Sequence, residues 1–307
     1  MADKKNAVIM HERDIEKTSH LQTVKGVFGT FGRYLFGTFG RYLFLIIVAI
    51  VVLFPFYWMI ISSLKTLTEY KLSVPTFWPQ QVMWSNYAEA FTTANLGVLF
   101  KNTMIVGVVS TILSLVITVL TAFCFARLEF KGKNVLFAAL LATMMIPGEL
   151  FTITNYETVF KFGWINTYTV LIVPFLVSVF YVYLLRQSFL QIPNELYLAA
   201  KVDGTSDLKY LWKVMIPLAA PTLISITILK MMGAWNSYMW PNLVARAEEM
   251  QLITNGLRNA FTEATSGDTN FPVQMAAVAL VSIPLFLVFI FFRKYIMKGV
   301  SRSGIKG

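Results

Sequence analysis

The amino-acid sequence predicts an all-α, polytopic membrane protein with six transmembrane helices and a folded two-helix loop between the fourth and the fifth. Of its 307 residues, 56% are hydrophobic and only 14% are charged, whereas a soluble domain is about 25% charged. Apolar runs of about 20 residues, the length that crosses a bilayer, recur along the chain. The single cysteine, Cys124, leaves no partner for a disulfide within this chain.

The expected transmembrane helices are segments in which apolar residues run with few charged interruptions. At a rise of about 1.5 Å per residue, each is long enough to cross a hydrocarbon core of about 30 Å. The second has no charge from Met104 to Ala126, whereas Pro147 and Gly148 interrupt the third. The six expected spans are residues 42–64, 98–126, 135–156, 166–189, 217–240 and 274–296.

These spans divide the chain into three regions. We predict a cytoplasmic N-terminal segment (1–41), a transmembrane permease domain (42–297) that contains a polar loop (190–216), and a cytoplasmic C-terminal tail (298–307). The first apolar run is itself long enough to span, and no short apolar core with a cleavage site precedes it. No cleaved signal peptide is therefore expected.

Lysine and arginine are distributed unevenly between the two sides of the membrane. If the N-terminus is cytoplasmic and six spans alternate in direction, 19 of the 26 Lys and Arg residues fall on the cytoplasmic side. Cytoplasmic loops of membrane proteins carry such an excess, so we expect both termini, and loop 190–216, in the cytoplasm. The asymmetry also accounts for the net charge of +10 without a nucleic-acid partner.

The first half of the loop reads as a short helix with a defined end. Asn194 is a favourable N-cap, and Glu195 lies in the first turn, where the helix dipole favours a negative charge. The small side chains of Ala199 and Ala200 allow another surface to approach closely. Gly204 is suited to end this helix in a left-handed conformation.

The second half of the loop reads as an amphipathic helix that leads to Pro217 and the fifth span. Ser206 is placed to cap it, and the spacing of its apolar residues indicates one buried stripe formed by Leu208, Leu211, Trp212 and Met215. A DNA-binding helix-turn-helix is disfavoured, because the loop and its edges carry a net charge of only about +1. A purely structural helix at the membrane surface remains an alternative on periodicity alone.

Two charged residues, Lys230 and Glu149, lie deep within the expected spans. Lys230 lies about 20 Å along a helix from Pro217, and Glu149 about 21 Å along a helix from Val135. Charges at such depth are costly and tend to pair or to line a wet cavity. We expect both to face the protein interior, as an ion pair in one hypothesis, with snorkelling of Lys230 to the surface as the alternative.

The loop resembles the signature of ABC-importer permeases, which is Glu-Ala-Ala, three residues, Gly, nine residues, and Ile-x-Leu-Pro. Here Ala199-Ala200, Gly204 and Val214–Pro217 stand at this spacing, and Leu198 replaces the glutamate. The resemblance extends along nearly the whole chain and is closest to the maltose-type sugar permeases. The further similar segments are Phe56–Trp58 through Ser63–Lys65, Ala126–Leu128 with Phe130–Gly132, Met145–Pro147 and Gly304–Gly307.

This resemblance implies a permease subunit that forms half of a translocation path in a prokaryotic cell membrane. The loop would dock on a cytoplasmic ATPase as a coupling helix. Its expected contact residues are Glu195, Ala199, Ala200, Asp203, Gly204 and Pro217, and those of the tail are Gly304, Lys306 and Gly307. Implied partners are a second permease of different sequence, two ATP-binding subunits, an extracytoplasmic solute-binding protein and membrane lipid.

ATP and magnesium would be bound by the partner subunits, and no cofactor, metal or enzyme activity is expected on this chain. The sequence contains no G-x-x-x-x-G-K-[ST] motif, since Gly132-Lys133 lacks both the upstream glycine and the hydroxyl residue. His11 and His20 both lie in the polar N-terminal segment. An ion-coupled secondary transporter, the alternative of another class, would leave the folded loop unexplained.

The implied solute is a sugar or oligosaccharide, with glycerol-3-phosphate or another small solute as an alternative. Sugars are bound through hydrogen-bonding groups and aromatic faces. Both kinds of group cluster in the third and fifth spans, so the candidate substrate-path residues are Asn155, Tyr156, Trp235, Asn236, Tyr238 and Trp240. The alternative for these residues is an aromatic belt at the membrane interface.

Overall fold

The computed structural model describes residues 37–262 and 270–301, over which the chain forms only helices and their connections. By internal contacts it divides into two units, Met1–Trp58 and Met59–Gly307. In the described part of the first unit, residues 37–58 are helical, and the rings of Phe54 and Trp58 stack with centroids 6.0 Å apart. The second unit contains the predicted loop and the helices around it.

The helices are numbered here in chain order. They are α1 (Gly37–Ser63), α2 (Leu67–Tyr70), α3 (Ser85–Thr93), α4 (Leu96–Arg127), α5 (Lys133–Thr143), α6 (Thr152–Lys161), α7 (Tyr168–Ile172), α8 (Val179–Leu190), α9 (Asn194–Val202), α10 (Asp207–Tyr210), α11 (Ile216–Leu218), α12 (Ala220–Trp235), α13 (Met239–Val244), α14 (Ile253–Thr262) and α15 (Phe271–Ser301). Four of the connections contain short 3₁₀ or π segments: Gly148–Phe151, Val173–Phe175, Leu211–Met215 and Glu248–Met250.

Three helices are long and apolar enough to cross a membrane, namely α1, α4 and α15. Three further candidates are bent pairs of helices, with bends of 79° before residue 148, 46° after Phe175 and 80° after Leu218. The described residues thus hold up to six spans if each bent pair counts as one.

The breaks have local causes. Pro147 and Gly148 interrupt the third segment, as the sequence predicts. Pro174 lies in the 3₁₀ turn that ends at Phe175, and Ser178 then caps α8 by accepting the N–H of Tyr181. The fourth and fifth expected spans are therefore bent pairs of helices, since proline lacks the N–H that a continuous helix would use at its position.

The long helix α4 is the central element of the second unit, and it packs on α3, α7, α8, α12 and α14. Half of the residues on its buried face are small or hydroxyl-bearing. Gly107 lies on this face, and a Cβ there would approach the Met231 methyl group at 3.3 Å. Small and hydroxyl residues let helices approach closely, which is the usual means of helix association in lipid. The buried polar residues of α4 are Asn102, Thr103, Ser110, Thr111, Ser114, Thr118 and Arg127.

Hydrogen bonds from α4 organise the loops at its Leu96 end. The Asn102 amide donates to the carbonyls of Glu249 (2.7 Å) and Gln251 (3.0 Å) and accepts from the Tyr168 hydroxyl at 2.7 Å. The Thr103 hydroxyl accepts the N–H of Ile253 at 2.9 Å. These bonds join α7, α14 and the segment before α14 to one turn of α4.

Replacing Asn102 with leucine is expected to destabilise the protein by roughly 2 kcal/mol or more, since two carbonyls and a hydroxyl lose their buried partner. Thermal unfolding in detergent measures this. The matched control is Asn134→Leu, at an exposed position in the first turn of α5, where little change is expected. Equal unfolding temperatures for the two variants would contradict the assigned role of Asn102.

Candidate functional site

The loop 190–216 folds as two helices joined by a tight turn, and Gly204 adopts the predicted left-handed conformation with φ of +70°. The Gly204 N–H donates to the carbonyl of Lys201 (3.0 Å), and the Thr205 N–H donates to that of Ala200 (2.8 Å). This pair of bonds is the Schellman motif that closes a helix C-terminus. A side chain at this φ is strained, so the turn depends on glycine.

Three polar side chains fasten the two helices of the loop to each other. Asp207 accepts from the Tyr197 hydroxyl at 2.8 Å and pairs with the Lys201 ammonium at 2.7 Å. The rings of Tyr197 and Tyr210 pack with centroids 5.2 Å apart. The hydrogen bonds from Lys201 and Tyr197 lower the pKa of Asp207, and the bond to Asp207 raises the pKa of Lys201. The carboxylate is thus charged at neutral pH and holds α10 against α9.

One side of α9 is exposed and partly apolar, and the other packs on the core. Leu198 and Val202 are 56% and 88% exposed. Ala200 is half-buried against a core cluster that contains Phe189 and Tyr210. The other predicted contact residues of the loop are all exposed: Glu195, Ala199, Asp203, Gly204 and Pro217. The predicted tail contacts Gly304, Lys306 and Gly307 lie outside the described residues.

The second helix of the loop departs from the predicted stripe. Leu211 and Met215 are fully buried, as expected, but Leu208 and Trp212 are exposed and Tyr210 is buried in their place. Residues 211–215 form a π-turn. A π-turn contains more residues than an α-turn, which changes the spacing at which side chains share a face.

Two arginines bind α4 and α8 together where these helices end beside the loop. Arg127, the last residue of α4, donates through Nη2 to the carbonyls of Phe189 (2.9 Å) and Ile192 (2.6 Å). Arg186 of α8 donates through Nε to the carbonyl of Phe125 at 3.0 Å. Cations at helix C-termini satisfy carbonyls that have no partner within the helix. We call Arg127 and Arg186 with these carbonyls the arginine clamp; it holds the chain just before α9 begins.

A cavity of about 340 Å³ lies among α4, α7, α8, α12 and α13. The half-buried Lys230 lines it, and the Lys230 ammonium donates to the carbonyl of Phe175 in the break before α8. Trp240 forms another wall, and its indole N–H donates to the Val170 carbonyl at 3.0 Å. The remaining polar residues of the lining are Ser110, Ser178, Tyr181 and Ser237.

Of the predicted substrate-path residues, only Trp240 lines this cavity. Trp235 is buried with its ring 5.8 Å from that of Phe100, and Asn236 donates to the carbonyl of Met232 at 2.9 Å. Trp235 and Asn236 do not line the cavity with Trp240, because α12 ends at Trp235 and the chain turns before α13.

The other three predicted path residues lie elsewhere. Tyr238 is hydrogen-bonded to Arg258; Asn155 is exposed on α6, and Tyr156 stacks on Phe160 with ring centroids 6.3 Å apart. The cavity residues with hydroxyl groups were not predicted. In an apolar helix, the sequence does not show whether a serine or tyrosine lines a cavity or packs against a neighbouring helix.

The structure does not bring Glu149 and Lys230 together. Glu149 is exposed in the 3₁₀ turn after the third-segment break, and within the described residues Lys230 bonds the Phe175 carbonyl and forms no ion pair. The prediction of a pair assumed straight helices, and the bends of 79° and 80° remove the common depth on which it rested. Lys230 lines the cavity described above, and Glu149 does not.

The fold is that of a membrane chain of an ABC transporter. It matches a chain in the crystal structure of a bacterial ABC transporter involved in the import of the acidic polysaccharide alginate, with a TM-score of 0.77, 24% identity, and coverage of 86% of this chain and 97% of the other. Residues 114–302 match the family described as binding-protein-dependent transport system inner membrane component, and the chain belongs to this family.

Characterised relatives are similar over most of their length. The arabinooligosaccharides transport system permease protein AraQ of Halalkalibacterium halodurans is 31% identical, over 85% of this chain and 93% of its own. The diacetylchitobiose uptake system permease protein NgcG of Streptomyces coelicolor is 30% identical, over 84% and 86%. The trehalose/maltose transport system permease protein MalG of Thermococcus litoralis is 29% identical, over 85% and 94%.

Replacing Asp207 with asparagine is expected to loosen the loop at neutral pH, because the ion pair with Lys201 is lost. Hydrogen exchange of residues 197–210, corrected for intrinsic rates, should be faster than in the parent protein. The lowered pKa of Asp207 means that its contribution is present above the ordinary value near 3.8 and is lost as the pH falls through the lowered value. The difference between the two proteins should therefore shrink in acid. Asp203→Asn, at an exposed carboxylate in the same loop, is the control, and an equal effect there would refute the role of Asp207.

Replacing Arg127 with methionine is expected to lower the free energy of unfolding by roughly 2–4 kcal/mol, since the carbonyls of Phe189 and Ile192 lose a buried, charged donor. Arg127→Lys should recover only part of the loss, because lysine cannot reproduce the guanidinium fork. Unfolding in detergent is the measurement, with Arg246→Met at an exposed position as the control. A clamp that contributes nothing would give both methionine variants the same stability.

Proposed function

We propose that this chain is the permease subunit of a binding-protein-dependent ABC importer for a sugar or oligosaccharide, and that it forms half of the translocation path. The observation that carries the proposal is the likeness, over 86–94% of their lengths, to permease proteins named for arabinooligosaccharides, diacetylchitobiose and trehalose/maltose. A permease named for sn-glycerol-3-phosphate is less similar, at 25% identity. A carbohydrate is therefore preferred to that solute.

The proposed topology has six spans with both termini in the cytoplasm. Three long helices and three bent pairs would make six crossings if each bent pair counts as one span, and the excess of Lys and Arg on one side favours this orientation. With six spans, residue 1 and residue 307 lie on the same side, and loop 190–216 lies there with them.

In this proposal the exposed side of α9 docks on an ATP-binding subunit. Leu198 and Val202 provide apolar contact area there, and Leu198 would replace with packing whatever a glutamate contributes at the same position in related permeases. The other side of α9 is fixed, since Ala200 packs on the core and Tyr197 and Lys201 are tied to Asp207. A displacement of α9 would consequently move the loop as one body.

The arginine clamp gives this displacement a route into the membrane domain. Arg127 bonds the carbonyl of Ile192, which is two residues from the start of α9, and so connects that start to the end of α4. Helices α4 and α8 both contribute to the cavity that contains Lys230. ATP-driven motion of the loop would therefore alter the helices around the cavity directly.

The proposed partners divide the work of transport. Two ATP-binding subunits hold ATP and magnesium and contact α9, with the tail residues Gly304, Lys306 and Gly307 as further contacts. A second permease of different sequence completes the path, and an extracytoplasmic binding protein delivers the solute. The sequence of this chain contains no phosphate-binding loop of its own.

Co-purification with transport measurement tests the proposal. An affinity-tagged chain extracted from native membranes should bring down a second permease and an ATP-binding subunit, identified by mass spectrometry. The assembled transporter in liposomes, supplied with its binding protein, should take up a labelled sugar only when ATP is present on the cytoplasmic side. Uptake by the isolated chain along an ion gradient without ATP would exclude this function in favour of secondary transport.

Replacing Gly204 with proline should uncouple ATP hydrolysis from uptake while the protein still inserts and assembles. Proline fixes φ near −65° and has no N–H, so neither the left-handed turn nor the bond to Lys201 can form. A local cost of about 1–2 kcal/mol or more should reduce coupled uptake by roughly tenfold or more. The measurement is the ratio of sugar transported to ATP hydrolysed in liposomes.

Gly163→Pro is the matched control, because Gly163 has φ of +71° in the α6–α7 connection, outside the loop. Its N–H also donates to a carbonyl three residues earlier, that of Phe160 at 3.0 Å. This variant should keep the transport ratio of the parent. If Gly204→Pro keeps that ratio as well, the loop is a surface helix without a coupling role.

A further inference from the structure

We infer that the cavity beside Lys230 is a binding site for a sugar unit that carries an anionic group, either a carboxylate or a phosphate. The inference rests on the proposed function, and it specifies the solute and the part of this chain that contacts it. It also assigns Lys230 as the residue that selects an acidic solute over a neutral one.

Lys230 places a charge without an ion-pair partner, among the described residues, on the cavity wall. It lies in the apolar helix α12. A charge within a span is costly unless it is paired or lines a path for a polar solute. An ammonium has three donors, and the bond to the Phe175 carbonyl uses one of them. Two donors remain for a ligand in the cavity.

The residues that line the cavity around Lys230 include several that can donate hydrogen bonds to a ligand. The Ser178 oxygen accepts the N–H of Tyr181 at 3.4 Å, which leaves the serine O–H free to donate. Tyr181 and Ser237, which also carry hydroxyl groups, line the same cavity. Hydrogen bonds from ammonium and hydroxyl groups to an ionised oxygen are stronger than those to a neutral one. An ammonium among hydroxyl donors therefore suits an anionic oxygen better than a neutral hydroxyl.

The size and shape of the cavity suit a single sugar unit. A volume of about 340 Å³ is at the lower end of the range for small-molecule sites, roughly 300–1,000 Å³, and it suits a single sugar unit rather than a whole oligosaccharide. Trp240 and Phe175, whose rings meet edge to face at 5.9 Å, line the cavity and provide an apolar wall for the carbon side of a sugar ring.

A competing role for Lys230 is structural, namely to satisfy the Phe175 carbonyl that the helix break leaves without a partner. A substitution at Gly233 distinguishes the structural role of Lys230 from the binding role. It lines the cavity, and a Cβ added there meets nothing within 4 Å. Gly233→Leu would fill part of the cavity, leave the bond from Lys230 to Phe175 intact, and favour the helical conformation of α12.

The test measures equilibrium binding to the assembled transporter in lipid nanodiscs by isothermal titration, with glucuronate, glucose 6-phosphate and glucose as probes. At least one anionic probe should bind roughly tenfold more tightly than glucose, as expected for a charge-assisted hydrogen bond. The stronger of the two anions distinguishes a carboxylate from a phosphate ligand. Lys230→Met should remove the difference and Lys230→Arg should keep most of it. Lys161→Met, at an exposed lysine outside the cavity, should change nothing.

Gly233→Leu should weaken binding of the preferred anion by roughly tenfold without lowering the unfolding temperature, and it decides the matter if Lys230→Met fails to fold. Equal affinities for all three probes, or a preference for the anion that survives in Gly233→Leu or in folded Lys230→Met, would overturn the inference. A parent transporter that imports a neutral sugar with ATP but shows no anion preference would refute this inference alone. If the parent transporter takes up no sugar when ATP is supplied, the proposed function itself is refuted.

Discussion

The whole arrangement depends on satisfying backbone polar groups wherever a helix ends or breaks within the apolar region. Lipid offers such groups no hydrogen-bond partner, and leaving them unpaired is costly. Here long side chains supply the partners: Arg127 bonds the carbonyls of Phe189 and Ile192, and Lys230 bonds that of Phe175. Because Lys230 bonds the Phe175 carbonyl from a neighbouring helix, a partner is supplied at the 46° bend that follows Phe175.

The residues that bond these carbonyls also lie beside the candidate functional regions, namely the loop and the cavity. Arg127, the last residue of α4, bonds the carbonyl of Ile192 two residues before α9, so this hydrogen bond connects the two helices. Lys230 faces the cavity because the carbonyl it bonds belongs to a broken helix that borders the same cavity. A solute path through a membrane needs polar groups on its wall, and helix breaks are where such groups are tolerated.

Most local signals in the sequence predicted local structure well, although Asn194 is the first residue of α9 and not its cap, which is Pro193. The left-handed turn at Gly204, the Ser206 cap, which accepts the Lys209 N–H, and the break at Pro147 all follow from residue types that have few conformational options. Features that depend on distant residues were not predictable. The π-turn at 211–215 alters the buried face of its helix, and the bends separate Glu149 from Lys230, because straight-helix geometry does not anticipate either one. Cavity hydroxyls look like packing residues until neighbouring helices are in place.

The central helix α4 buries many hydroxyl-bearing residues and exposes large apolar ones, unlike a typical helix of a water-soluble protein. Its buried face carries serine, threonine and glycine, whereas Ile112, Val116 and Leu120 on the other face are 56%, 48% and 45% exposed. Hydroxyl and glycine residues therefore form a large part of the buried contact surface of α4, and the apolar side chains on its other face are suited to lipid. A designer who wished to study this subunit without detergent would change the outward residues to polar ones and leave the hydroxyl-rich face untouched. Such a redesign would show that the outward apolar residues adapt the helix to lipid and are not needed for its packing within the protein.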